Sequence, residues 1–167
     1  MIAVETIATP IGPVALATRD ELVLAVTFHR DRAEPFPELR RAYPGETVEP
    51  RPPVSGAARA LAAYFDEPET DLTGLPLELR GAGFDQRAWL ALRDIPVGEV
   101  VSYGWIARRA GDPKAAQAAG VAMGRNPIPI ILPCHRVIGA DGSLTGFGGG
   151  LQRKRWLLDH ERGGRLL

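Results

Sequence analysis

Apolar and polar residues alternate in short runs over the first 28 positions of the chain. Val4-Glu5-Thr6-Ile7, Val14-Ala15-Leu16-Ala17 and LVLAVTF (22–28) are separated by turn signals, the clearest being Pro10-Ile11-Gly12-Pro13. That period of two predicts three short antiparallel strands. Residues 31–53, rich in Pro, Arg and Glu, predict a surface loop with room for one helical turn. SGAARALAAYFD (55–66) predicts a helix capped by Ser55. Residues 69–82 predict a strand and a linker, because Leu75-Pro76-Leu77-Glu78-Leu79 alternates until Gly81-Ala82-Gly83 interrupts it. A domain boundary is expected near residue 80.

Beyond it the period lengthens. Phe84, Ala88, Leu92 and Ile95 recur at helical spacing, and Pro96 stops the run. Val100-Val101-Ser102 reads as a short extended piece and Tyr103 to Ala110 as a short helix. Asp112 is the expected cap, and Pro113 the first residue, of a helix running to about Gly124. Two short helices joined by a Gly-containing turn form a helix-turn-helix pattern. IPIIL (128–132) reads as a short buried strand, residues 138–150 as a glycine-rich loop, and Leu151 to Glu161 as the last helix. The expected fold is α/β (α+β). An antiparallel-sheet α/β domain occupies residues 1–80, and a mostly helical helix-turn-helix domain occupies residues 81–167.

Composition adds limits. The 167 residues are 45% hydrophobic and 24% charged, ordinary for a globular protein. No apolar run approaches the roughly 20 residues of a membrane span. The first 20 residues lack a basic start followed by an apolar block, so no secretory signal is expected. The single cysteine excludes an internal disulfide and a multi-cysteine zinc site. It suits a reducing, cytoplasmic setting. Net charge is zero but divided. Residues 1–100 carry 10 basic and 16 acidic side chains; residues 101–167 carry 10 and 4. A basic C-terminal part suits a polyanionic partner, although a solvated basic face gives the same count.

The helix pair fits either reading. Ala115, Ala116, Ala118, Ala119, Gly120 and Ala122 make the second helix small, which suits close approach to the protein's own core or to a DNA groove. Arg108, Arg109, Lys114 and Arg125 flank it as candidate phosphate contacts.

The one thiol stands in Pro133-Cys134-His135-Arg136-Val137. Lone cysteines are commonly inert buried residues. A thiol reacts as its thiolate, and its free pKa of about 8.5 leaves little of it at neutral pH. His135 and Arg136 would both favour the anion. Neighbours on an extended strand point to opposite faces, so Cys134 and His135 cooperate only if the chain turns there or water bridges them. Pro133 makes such a turn plausible.

The stretch ILPCHRVIG (131–139) closely resembles the acceptor-site signature of the O6-alkylguanine-DNA alkyltransferases. FDQRAWLALRDIPVGEVVSYGWIA (84–107) resembles the family's helix leading into its SYG segment, and RNPIPI (125–130) its asparagine hinge. GSLTGFGGGLQRKRWLLDHE (142–161) resembles its active-site loop and final helix. The N-terminal part is similar more loosely.

The resemblance implies an RNase H-like N-terminal domain and a winged helix-turn-helix C-terminal domain. It implies transfer of an alkyl group from O6 of guanine in double-stranded DNA, with O4 of thymine a further candidate, irreversibly to the protein's own cysteine. No cofactor and no metal are implied; the N-terminal zinc ligands of some members are absent. Cys134 matches the acceptor, His135 a base acting through water, and Glu161 the carboxylate orienting it. Asn126 matches the hinge and Tyr103 a proton or hydrogen-bond donor to the leaving guanine. Met123, Val137 and Ile138 match pocket walls; Gly146, Phe147, Gly148 and Gly149 match a lid. Gln117, Ala118, Arg125 and Lys154 complete the matched contacts with substrate or DNA. Gln117 stands where the family usually has an arginine that replaces the flipped nucleotide, and Phe147 where a tyrosine is common. A monomer, with cooperative binding along DNA as a further candidate, is the implied state. Two other functions remain: a lesion-binding alkyltransferase-like protein, which would carry tryptophan at position 134, and a cysteine hydrolase or regulator using the helix pair to read sequence. His29 and His160 have no such context.

Overall fold

A computed structural model describes residues 1–28 and 35–163. His29 and the start of the expected loop at 31–34 lie outside the described residues. The chain divides into two compact units, Met1–Glu78 and Leu79–Leu167.

In the first unit, β1 (Ile2–Ile7), β2 (Val14–Arg19) and β3 (Leu22–Phe28) form the antiparallel ladder expected from the alternation. The β2–β3 turn holds Asp20 and Glu21 at φ 51° and 67°, the left-handed pair of a two-residue hairpin, without the usual glycine. One helical turn, α1 (Leu39–Ala42), falls in the segment expected to loop. A fourth strand, β4 (Val48–Arg51), is a correction: it pairs parallel to β1, giving the order β3-β2-β1-β4 and a mixed sheet rather than an antiparallel one. Pro50 hides this strand in the sequence. A proline has no N–H to donate, so it is tolerated only where a strand has a free edge, as here. The strand expected at 75–79 reduces to one bridge, Val23 to Leu77.

Helix α2 (Gly56–Asp66) begins where its cap predicts, with Ser55 Oγ accepting from the Ala58 N–H at 3.1 Å. A buried carboxylate ties that helix to β1. Glu5 accepts from the N–H groups of Val54 and Ser55, both at 2.8 Å, and from Ser55 Oγ at 2.5 Å. Burial pushes the Glu5 carboxyl up, but these bonds and the Arg51 charge outweigh it and hold the group below its ordinary value.

In the second unit, α3 (Gly83–Ala91) runs into a 3₁₀ turn at Leu92–Asp94. It packs on α4 (Tyr103–Arg109) and α5 (Ala116–Gly124). Trp89 Nε1 donates to the Ala122 carbonyl at 2.8 Å, joining α3 to α5. Ser102 caps α4 through Trp105 N–H at 3.2 Å. The expected start of α5 is corrected. Asp112 and Pro113 belong to the preceding turn, where Asp112 binds the Lys114 and Ala115 N–H groups. The helix starts at Ala116 without a side-chain cap. Residues 128–132 are buried except for the half-buried Pro129, but they form a tight turn rather than a strand, with Ile130 at φ 72°. β5 (Val101–Ser102) and β6 (Val137–Ile138) form a short parallel pair, and α6 (Leu151–Glu161) closes the unit as expected. His160 stacks on Trp156, ring centroids 4.7 Å apart.

Replacing Ser55 by alanine removes the α2 cap and one bond to Glu5 together. Urea denaturation should show a loss of about 1–2 kcal/mol. An unchanged midpoint would mean that the cap contributes nothing.

Candidate active site

The turn at 126–132 exists because Asn126 replaces missing backbone pairing. Its Nδ2 donates to the Leu132 carbonyl at 2.8 Å, and its Oδ1 accepts from the Ile128 N–H at 3.0 Å. Leu132 N–H closes the turn on the Ile128 carbonyl at 2.9 Å. The chain leaves it through Pro133 into a 3₁₀ turn, Cys134–Arg136, so the thiol and imidazole are not on an extended strand.

Cys134 is buried, with 7% of its surface exposed, and His135 and the Glu161 side chain are fully enclosed. His135 Nε2 lies 2.7 Å from Glu161 Oε2. Arg136 spans the same carboxylate with Nε at 2.7 Å and Nη2 at 3.0 Å, and donates Nη1 to the Ile95 carbonyl at 2.7 Å. Burial alone would push the Glu161 carboxyl up. The charges and hydrogen bonds of His135 and Arg136 outweigh it and hold the group well below the usual carboxylate range. His135 Nδ1, on the other side of the ring, is buried with no hydrogen-bond partner among the described residues. The site therefore has a thiol, an imidazole with one nitrogen held and one open, and an anion that fixes the ring.

The thiol is not a standing thiolate. Burial pushes it up; the Asn126 side chain and then the Lys154 charge oppose this without reversing it. Arg136, adjacent in sequence, turns its guanidinium onto the Glu161 carboxylate. Lys154, expected among the substrate and DNA contacts, is a second correction. It is fully buried, so its ammonium is not presented to a backbone phosphate at the surface. Its Nζ donates to the Val137 carbonyl at 2.6 Å and the Thr145 carbonyl at 2.9 Å.

The other expected residues divide by exposure. Val137 and Met123 are buried, while Gln117, Ala118 and Arg125 stand exposed. Arg125 makes a loose ion pair to Asp85 at 3.7 Å. Gly146 and Gly148 are exposed, Phe147 is half-buried and Gly149 is buried. Tyr103 meets Thr145, a residue the sequence reading missed, hydroxyl to hydroxyl at 2.5 Å. The Tyr103 ring also lines an open groove of about 720 Å³ with Ser102, Gly104, Ala116, Gln117, Gly120, Val121 and Ala140. Among the described residues no group of three or more His, Cys, Asp and Glu could hold a metal ion.

Converting Glu161 to glutamine leaves the Arg136 fork buried and half-paired, and should cost roughly 3 kcal/mol at neutral pH. The folded carboxyl is held below its ordinary value of 4.5, so its contribution is complete above that pH and declines as the pH falls further. Denaturation of both proteins at pH 7 and at pH 4 should show the gap narrowing; an equal gap would contradict the assignment.

The family model described as the DNA binding domain of 6-O-methylguanine DNA methyltransferase matches residues 83–163. A protein of Mycolicibacterium paratuberculosis named methylated-DNA–protein-cysteine methyltransferase is 46% identical, across 97% of this chain and 93% of its own length. One of the same name from Salmonella typhimurium is 43% identical, across 94% of each. Among solved structures, Mycobacterium tuberculosis OGT in complex with DNA matches with a TM-score of 0.82 and 44% identity. It covers 97% of this chain and 94% of that one. The similarity runs along nearly the whole chain, and the chain belongs to the O6-methylguanine DNA methyltransferase family.

Proposed function

We propose that this protein repairs DNA by direct reversal, as a methylated-DNA–protein-cysteine methyltransferase that is consumed in the act. Cys134 takes the alkyl group from O6 of guanine. The carrying observation is the lone thiol on a turn beside His135, whose Nε2 is held by Glu161 at 2.7 Å.

The chemistry follows from burial. At rest the sulfur keeps its proton. When the damaged base arrives, that proton leaves through a water to His135 Nδ1, and Glu161 stabilises the imidazolium. The sulfur attacks the alkyl carbon, a carbon–sulfur bond forms, and the carbon–oxygen bond breaks. Its electron pair stays on guanine, which takes a proton from the Tyr103 hydroxyl; solvent later restores it. The product is a neutral thioether with no leaving group, so each molecule acts once. Cys134 also argues against a lesion binder without chemistry.

A thiol 7% exposed cannot be reached by a base inside a duplex, so the lesion must be flipped out of the stack. Helix α5 presents Ala116, Gln117, Ala118 and Val121 outward for that contact. Double-stranded DNA carrying O6-alkylguanine is the substrate, bound by a monomer in the cytoplasm. Among the described residues no helix is long and apolar enough to cross a membrane.

Incubation with an oligonucleotide bearing O6-methylguanine should raise the intact mass by one CH₂, and Cys134→Ser should abolish the gain. A gain surviving that substitution would refute the assignment of the acceptor. Gln117 can hydrogen-bond an orphaned base but offers no charge or planar fork. Gln117→Arg should therefore speed repair of duplex DNA by several-fold while leaving single-stranded substrate nearly unaffected. Equal rates for both proteins on duplex DNA would remove Gln117 from the flipping step.

A further inference from the structure

The reaction above employs Cys134, His135, Glu161 and Tyr103, and leaves one buried cation without a task. Lys154 stands in the first turns of α6 with none of its surface exposed. Its Nζ is satisfied by two backbone carbonyls, those of Val137 and Thr145. No carboxylate pairs with it among the described residues. Two carbonyl dipoles supply hydrogen bonds but no countercharge. An enclosed ammonium without an anion is costly, and that cost is expected where the charge serves a reaction.

The position of the two carbonyls matters. Val137 opens β6, three residues after the thiol. Thr145 lies in the glycine-rich loop, and its hydroxyl meets that of Tyr103. One ammonium thus holds the strand behind the acceptor and the loop carrying the proton donor's partner. The other charged groups there are already committed. His135 and Arg136, beside the sulfur on the same turn, both bind Glu161 of α6, and Tyr103 of α4 reaches the loop through a neutral hydroxyl. Burial disfavours the charged forms of both Lys154 and Cys134, and each one's charge opposes that effect in the other.

We propose that Lys154 is a charge-compensating positioning residue: its buried ammonium is the counter-ion of the thiolate formed at Cys134, and its two carbonyl bonds hold Val137 and the Thr145 loop around the acceptor. This rests on Cys134 being the alkyl acceptor. The anion exists only while the proton is away and before the carbon–sulfur bond forms, so the ammonium favours the reacting state over the resting one.

The test is the pH dependence of single-turnover methyl transfer from an O6-methylguanine duplex, followed by intact mass. In Lys154→Met the rising limb should move up by about one pH unit, making transfer roughly tenfold slower at pH 7 and converging with the native rate in alkali. A purely structural role would slow transfer by the same factor at every pH, and that result, or an unchanged rate, overturns the proposal. Failure of the native protein to gain mass would instead sink the acceptor assignment itself. Should Lys154→Met not fold, NMR of the native lysine side chains decides. The Lys154 signal should shift with the ionisation of Cys134, and that inflection should vanish in Cys134→Ser. A Lys154 titration identical in both proteins overturns the proposal.

Discussion

A carboxylate with no access to water is the constraint on which the second unit turns. Glu161 ends the last helix, where the helix dipole disfavours an anion. It is enclosed all the same, and the N–H groups of His135 and Arg136 make that tolerable. Those two residues occupy the same 3₁₀ turn as the thiol. Satisfying one anion therefore fixes the turn, the ring orientation and the direction of the open imidazole nitrogen together. Arg136 extends the lock through the Ile95 carbonyl to the end of the first helical segment of the unit. The chemistry needs an imidazole that does not rotate, and the fold supplies it by making rotation expose an unpaired charge.

The cations show how adjacency in sequence misleads. Arg136 is two residues from the sulfur and reads as its natural partner. In the folded chain a nearer obligation, the Glu161 carboxylate, absorbs it through a paired fork. Lys154, twenty positions after the cysteine, comes back by way of α6, and its ammonium meets two backbone carbonyls and no carboxylate among the described residues. Charge near a nucleophile is decided by what is left after pairing, and pairing is a tertiary fact.

Much of the fold was legible because it follows local rules. The strands β1 to β3 obey a period of two, α2 starts at a serine cap, and α6 spans the expected residues. The misses have specific physical causes. Pro50 removes a ladder donor and so disguises β4 as a loop. Asp112-Pro113 carries the signature of a helix start, but Asp112 spends its oxygens on a turn, and α5 begins three residues after Pro113. IPIIL has the composition of a buried strand, yet Asn126 supplies the pairing of a turn and Ile130 adopts a left-handed backbone. The imidazole and carboxylate that meet at 2.7 Å, and the cysteine beside them, were singled out through the family's motifs. Thr145 was not, since its part depends on a meeting with Tyr103 across 42 positions.

The small residues of α5 resolve into two faces, and that division bears on recognition. Ala119 and Ala122 are buried against the unit's own core, with the Ala122 carbonyl taken by Trp89. Ala116, Gln117, Ala118 and Val121 face outward, and no charged side chain lines the groove that Ala116, Gln117 and Val121 share with Tyr103. A neutral, mostly apolar groove cannot supply the long-range attraction that DNA binding requires. The exposed Arg108, Lys114 and Arg125 around it can, at the backbone and without regard to sequence. Such an arrangement separates two tasks that a repair protein must keep apart. Affinity comes from phosphate contacts available at every step along the duplex. Discrimination comes from whether a base can leave the stack and fit beside a thiol that is almost wholly enclosed.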